Sequence, residues 1–240
     1  MSKKSAAAER AERAAAALAE QRRKERRRTI ISVAAVVVAM LLIVGAGVLI
    51  SKKAGGGPSD SAADPGSGTV ATIGPSDAPH TVVIYEDFLC PYCGELERQT
   101  HEELGTLADQ GKVHVTYRPF NLLDTDYSQQ SLEVFTATQH TAGNDAAMTL
   151  HNLLYANQPS ESGPFPKQSD LVALAVQAGA DESKVQDAID NGDATKWADE
   201  STQAASKAGV QSTPTVLLDG KEFTGRTIDD MAQKLLAAVS

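Results

Sequence analysis

Cys90 and Cys93 are the only cysteines in this 240-residue chain, and just Pro91 and Tyr92 separate them. An apolar, strand-like run, Val82-Val83-Ile84-Tyr85, comes before the pair, and a helix-like stretch, Gly94 to Gln99, follows it. Two thiols with this spacing at a helix start lie about one turn apart, within reach of a disulfide. Unpaired backbone N–H groups and the positive end of the helix dipole stabilise a thiolate at such a place. Only a thiolate attacks a disulfide, so Cys90 is the expected nucleophile and Cys93 the resolving thiol.

Two blander roles compete. A structural zinc site wants four Cys or His ligands, and no second CxxC or HxxxH pair exists. His80, His101, His114, His140 and His151 are scattered without ligand spacing, so no metal is expected. An inert disulfide between near neighbours closes too short a loop to stabilise the fold much. Redox chemistry fits the context best, and it requires no further cofactor.

The elements that must position the pair can be read from periodicity. Residues 69–73 form a short first strand before Gly74-Pro75, and residues 80–88 a nearly continuous apolar second strand. The helix opened by the cysteines runs to about Gln110, with Leu96, Leu104 and Leu107 as core candidates and Gly111 as its stop. Lys112 to Arg118 alternates as a third strand ended by Pro119. Strand, crossover helix and strand make the βαβ unit of a parallel sheet. Helical spacing then holds over 129–141, 144–157, 169–178, 181–190 and 193–208. Residues 213–218 return as a strand, Asp219-Gly220 as a hairpin turn and 221–225 as its partner, before a last helix that Thr227 and Asp230 cap.

The amino-terminal part obeys different rules. Residues 1–29 hold ten Lys/Arg against four Glu, a basic segment expected in the cytoplasm. Ile30 to Ile50 is 21 residues without a charge, about 31 Å as a helix at roughly 1.5 Å per residue, which matches a bilayer core of about 30 Å. This apolar block is longer than a cleaved signal-peptide core, and Ser51-Lys52-Lys53 follows it directly. An uncleaved transmembrane signal anchor at 30–50 is therefore expected. Residues 51–68, rich in Gly, Ser, Pro and Asp, read as a flexible linker to a domain at 69–240 on the outer face. From Ala54 onward ten Lys/Arg face 27 Asp/Glu, a net charge of −17 that argues against nucleic-acid partners. Export to an oxidising compartment suits disulfide chemistry.

The order strand, CPYC, helix, strand, helical insertion (about 127–209), Thr213-Pro214, hairpin and final helix resembles the DsbA-like branch of the thioredoxin fold. The stretch Ile73 to His80 leading to Tyr85-Glu86-Asp87-Phe88-Leu89-Cys90-Pro91-Tyr92-Cys93 is similar to membrane-anchored actinobacterial members. The resemblance implies an α/β thioredoxin-like domain with an all-helical insertion, preceded by one transmembrane helix. It implies a thiol-disulfide oxidoreductase that introduces disulfides into exported cysteine-containing proteins, with a quinone-linked membrane reoxidase as partner. A reductase or isomerase of the same fold, or a non-catalytic anchored binding module, are the alternatives.

The resemblance also assigns residues. Pro214 matches a cis-proline facing the CxxC, with Thr213 pairing an extended substrate segment. Pro91 and Tyr92 tune the potential; the best-studied oxidases carry a histidine where Tyr92 stands, so a weaker oxidant is implied. Related folds often hold a buried carboxylate six residues before the first cysteine. Here that position is Ile84, and Glu86 shares its strand face. Glu86 is thus a candidate proton relay, against its reading as a solvated acid at a strand end. Asp87 points the other way and is expected to be structural, and His101, His140 and Trp197 to be core or surface residues.

Overall fold

The computed structural model describes residues 68–240. The basic segment, the 30–50 anchor and nearly all of the linker lie outside the described residues. Among the described residues no helix is long and apolar enough to cross a membrane.

Five strands form one sheet: β1 (Ala71–Ile73), β2 (His80–Glu86), β3 (Val113–Pro119), β4 (Thr215–Leu218) and β5 (Lys221–Phe223). Their spatial order is β1-β3-β2-β4-β5. Only β2 and β3 are parallel, joined through helix α1 (Pro91–Asp109); the other three pairings are antiparallel. Burial alternates along the central strands: Val82, Ile84, Val113, Val115 and Tyr117 are almost fully buried on one face, while Val83, His114 and Thr116 between them are partly exposed. At the hairpin, Asp219 (φ 50°) and Gly220 (φ 77°) both adopt the left-handed conformation that tight β-turns demand.

Helix α1 buries Cys93, Leu96, Glu97, Thr100, Leu104, Leu107 and Ala108, the three- and four-residue steps of one helical face. Each leucine so buried contributes about 1.5–3 kcal/mol. Five helices follow β3: α2 (Asp126–Ala142), α3 (Asn144–Ala156), α4 (Gln168–Gln177), α5 (Glu182–Asp190) and α6 (Asp193–Lys207). They pack on one another around α2, and the last helix, α7 (Ile228–Ala238), packs on α1. This is a thioredoxin-like α/β fold with an all-helical insertion.

Boundaries differ from the periodicity where side chains intervene. Strand β2 stops at Glu86 rather than Phe88, because the Asp87 carboxylate accepts a hydrogen bond from the Leu89 N–H and its carbonyl accepts one from the Cys90 N–H. Helix α2 starts three residues before Gln129, because Thr125 caps it through a bond from the Ser128 N–H to its hydroxyl.

Candidate functional site

Cys90 is the N-cap of α1, with extended backbone, and Pro91 occupies the first turn, where its missing N–H costs nothing. The β2–β4 register sets what faces it. Tyr85 pairs with Thr215, so the chain just before β4 runs beside the loop that carries Cys90. As a result the Cys90 thiol donates to the Thr213 carbonyl oxygen at 3.5 Å across 123 residues of sequence. The Thr213–Pro214 bond is cis. Pro91 and Tyr92 are exposed, Tyr92 by 60 %. A groove of about 390 Å³ beside the pair is lined by Tyr92, Thr213, Pro214, Phe223, Ile228 and Met231.

The two thiols are electrostatically unlike. A hydrogen bond from the Cys93 side chain outweighs the opposing effect of burial at Cys90. With help from the Thr213 side chain and the Cys93 and Tyr92 N–H groups, it brings the Cys90 pKa from 9.0 down to about 6. The Thr213 hydroxyl is buried and makes no hydrogen bond in this structure, so it is free to turn to the sulfur once Cys90 ionises. Cys93, one turn deeper, is pushed well above 9.0 by burial first, then by Cys90 and by the charge of Glu86. A neutral solution therefore holds an ionised Cys90 beside a protonated Cys93, the arrangement nucleophilic exchange requires. Both cysteines are present as free thiols.

Glu86 is not a solvated strand end: it is 0 % exposed, and the strand-end reading is corrected. Its Oε1 lies 2.7 Å from Nε2 of His151 in α3, a fully buried residue 65 positions away. Glu97 of α1 completes the group; the ligand-type atoms of the three residues lie within 4.8 Å of one another. With the His151 ring protonated at neutral pH, its pKa lying at about 9, Nε2 donates to Glu86 and the trio is an ion pair with a neighbouring carboxyl. Asp87 is fully buried and structural in its contacts, accepting from the Leu89, Leu122 and Leu123 N–H groups and the Ser128 hydroxyl. His140 stacks on Trp197 at 3.9 Å and His101 is an exposed residue of α1.

Sequence reasoning missed three contributors. His151 and Glu97 each sit on the buried stripe of an amphipathic helix, a polar residue where an apolar one belongs, and that was their visible signal. Gln158 left none. Its Nε2 donates to the carbonyls of Phe88 at 3.0 Å and Cys90 at 2.9 Å, holding the loop from outside. Gly94 permits that approach, since a Cβ there would collide with the Gln158 amide.

Comparison with known proteins agrees with this geometry. The thioredoxin family profile matches residues 67–238. The fold is similar to the reduced DsbA of Mycobacterium tuberculosis, with 29 % identity, a TM-score of 0.60, and coverage of 72 % of this chain and 92 % of that one. It is also similar to the reduced disulfide bond oxidoreductase DsbG of the same organism, at 28 % identity and a TM-score of 0.61, covering 75 % of this chain and 97 % of that one. Among curated relatives, the Na(+)/H(+) antiporter NhaA 3 of Salinispora tropica is 31 % identical over 153 residues, 63 % of this chain. The chain spans about a fifth of the length of the curated relatives it matches, 22 % in each case. By profile the chain belongs to the thioredoxin family, and its fold and site are similar to those of DsbA-like members.

Proposed function

We propose that the chain is a membrane-tethered, extracytoplasmic thiol-disulfide oxidoreductase that introduces disulfides into exported cysteine-containing proteins. The asymmetry between Cys90, near 6, and Cys93, well above 9, carries the reading. A substrate thiolate attacks Cys90 of the Cys90–Cys93 disulfide, and the bond's electron pair leaves with Cys93. A second substrate thiolate then attacks the substrate sulfur of the mixed disulfide, closing the substrate disulfide and releasing Cys90 as its stabilised thiolate. A stabilised thiolate favours the reduced enzyme, and an enzyme that prefers to be reduced is an oxidant. The groove beside Thr213 and Pro214 suits an extended substrate segment. Tethering rests on the 30–50 apolar block with its basic flank, and a quinone-linked membrane reoxidase would restore the disulfide.

Tyr92 supports a less oxidising second reading, as reductase or isomerase. Its ring points to solvent and only its backbone N–H helps the thiolate. The decisive experiment expresses the full chain as Cys93→Ser: its Cys90 thiolate can still attack a substrate disulfide, but residue 93 can no longer displace the substrate from the mixed disulfide that forms. Covalent adducts through Cys90 with exported cysteine-containing proteins support the enzyme; their absence, with the variant folded and exported, favours a non-catalytic binding module. A reduction potential near −120 mV supports the oxidase, and one near −270 mV the reductase, the known limits for related folds being about these values.

A further inference from the structure

A cavity of about 530 Å³ opens between α1 and α3 and shares no lining residue with the groove beside Pro214. That volume lies within the range of small-molecule sites, about 300–1,000 Å³. Its residues sort by depth. Glu97 and Tyr155 are buried and form the floor, Leu153 is half-buried, and Arg98, His101 and Ala156 are exposed at the mouth. Of the buried trio only Glu97 reaches this space, and one of its carboxyl oxygens is buried without a hydrogen-bond partner. Buried polar atoms are nearly always paired, so that oxygen marks an unmet contact. Arg98 carries the complementary signal at the mouth. It shares the helix face of His101, three residues on, and among the described residues it joins no ion pair, although Glu95 and Glu102 stand one turn to either side. Gln158 closes one wall and is held in place, because its Nε2 donates to the carbonyls of Phe88 and Cys90.

We propose that this cavity binds a small organic acid, with its carboxylate at Arg98, its apolar body against Leu153 and Ala156, and a hydroxyl at its inner end paired with Glu97. The inference goes beyond the oxidoreductase reading and does not depend on it. Each part of the ligand answers one feature of the wall. A guanidinium presents paired N–H donors that match a carboxylate, and at Arg98 no acid of the described residues occupies them. The aliphatic side chains between mouth and floor favour an apolar body and disfavour a second charge. Burial raises Glu97 from 4.5 to about 8, against the opposing charge of His151, so at pH 7 the floor is mostly uncharged and does not repel the acid. A neutral carboxyl both gives and accepts a hydrogen bond, which suits a hydroxyl. Because Gln158 is both a wall of the cavity and the clasp on the Cys90 carbonyl, an occupant rests against the support of the reactive loop.

The test titrates three probes into the full chain in nonionic detergent, with empty micelles subtracted. They are 3-(4-hydroxyphenyl)propionate, its uncharged amide, and 3-phenylpropionate, which lacks the hydroxyl. The variants are Arg98→Gln and Ala156→Trp, both at exposed positions, and thermal melting confirms that each is folded. Calorimetry at pH 7 should show a single saturable site for the hydroxy acid in wild type. Changing the acid to the amide, or Arg98 to Gln, should each weaken binding by at least about fivefold, as loss of a charged hydrogen bond implies. Loss of the hydroxyl should weaken it by at least about twofold, and Ala156→Trp, which fills the mouth, should abolish it. The absence of saturable binding by about 10 mM overturns the proposal. Equal affinity for any two of the three probes also overturns it, as does an affinity unchanged in either variant. Should Ala156→Trp fail to fold, Arg98→Gln and the three probes decide. An empty Cys93→Ser trap would sink the oxidoreductase reading and leave this site standing.

Discussion

The sulfur of Cys90 and the carbonyl oxygen of Thr213 lie 3.5 Å apart, a contact made across the β2–β4 pairing rather than within the CPYC helix. The hydroxyl of the same residue is buried without a partner and free to turn to the thiolate, so the segment just before β4 helps set the acidity of the cysteine. Thr213→Val keeps the shape and removes the hydroxyl. Its Cys90 pKa should rise by about one unit, the equivalent of about 1.4 kcal/mol, as expected for a bond to a charged group. Thiolate absorbance against pH measures it, and an unmoved midpoint denies Thr213 this part.

Asp87 anchors four groups from three segments, which makes it the structural counterpart of the reactive pair. Asp87→Ala strands buried donors at about 1–3 kcal/mol each, so a loss of at least about 3 kcal/mol is expected. Urea unfolding of the reduced domain checks this. A change under about 1 kcal/mol would mean that water replaces the carboxylate freely.

Stability should fall as pH rises from about 4.5 to about 9. Burial lifts Glu97 to about 8 from 4.5. At His151 burial works downward, but the charge and hydrogen bond of Glu86 override it and lift the ring to about 9 from 6.5. Groups raised in the folded state stabilise fully below their unfolded pKa and lose that stabilisation as pH climbs through the folded value. The loss thus spans about pH 4.5 to 9. Cys90 is shifted down and acts in the opposite sense, so the measurement uses a Cys90→Ser/Cys93→Ser background. The urea midpoint should drop from pH 5 to 9, and in a further Glu97→Gln variant only above about 6.5. A flat profile contradicts the assignment.

Gly94→Ala should behave like Gln158→Ala. The new methyl displaces the amide that holds Phe88 and Cys90, at a cost of about 0.5–1.5 kcal/mol per lost bond. The double variant should lose little more than either single one, because both remove the same contacts. Additive losses in denaturant unfolding would separate the two residues.

What could be read from the chain, and what could not, follows from the range of the interactions. The βαβ unit, the CPYC helix and the Asp219-Gly220 hairpin are local patterns, and their residues carry them openly. Thr213 comes to Cys90 through strand pairing, which only the family resemblance placed. The burial of Glu86 depends on His151, 65 residues onward in the helical insertion. Alternation along β2 puts Glu86 on the face of Ile84, yet without a partner in view a carboxylate there reads as solvated. Gln158 acts through the far end of a flexible side chain after α3, where neither periodicity nor motif marks a residue.

The pH dependence of Cys90 alkylation in the reduced wild-type protein, with mass spectrometry identifying the modified thiol, tests the acidity of Cys90 most directly. The expected midpoint is near 6 at Cys90, while Cys93 stays unmodified until well above pH 9. A midpoint near 9 at Cys90, or modification of Cys93 first, would contradict it.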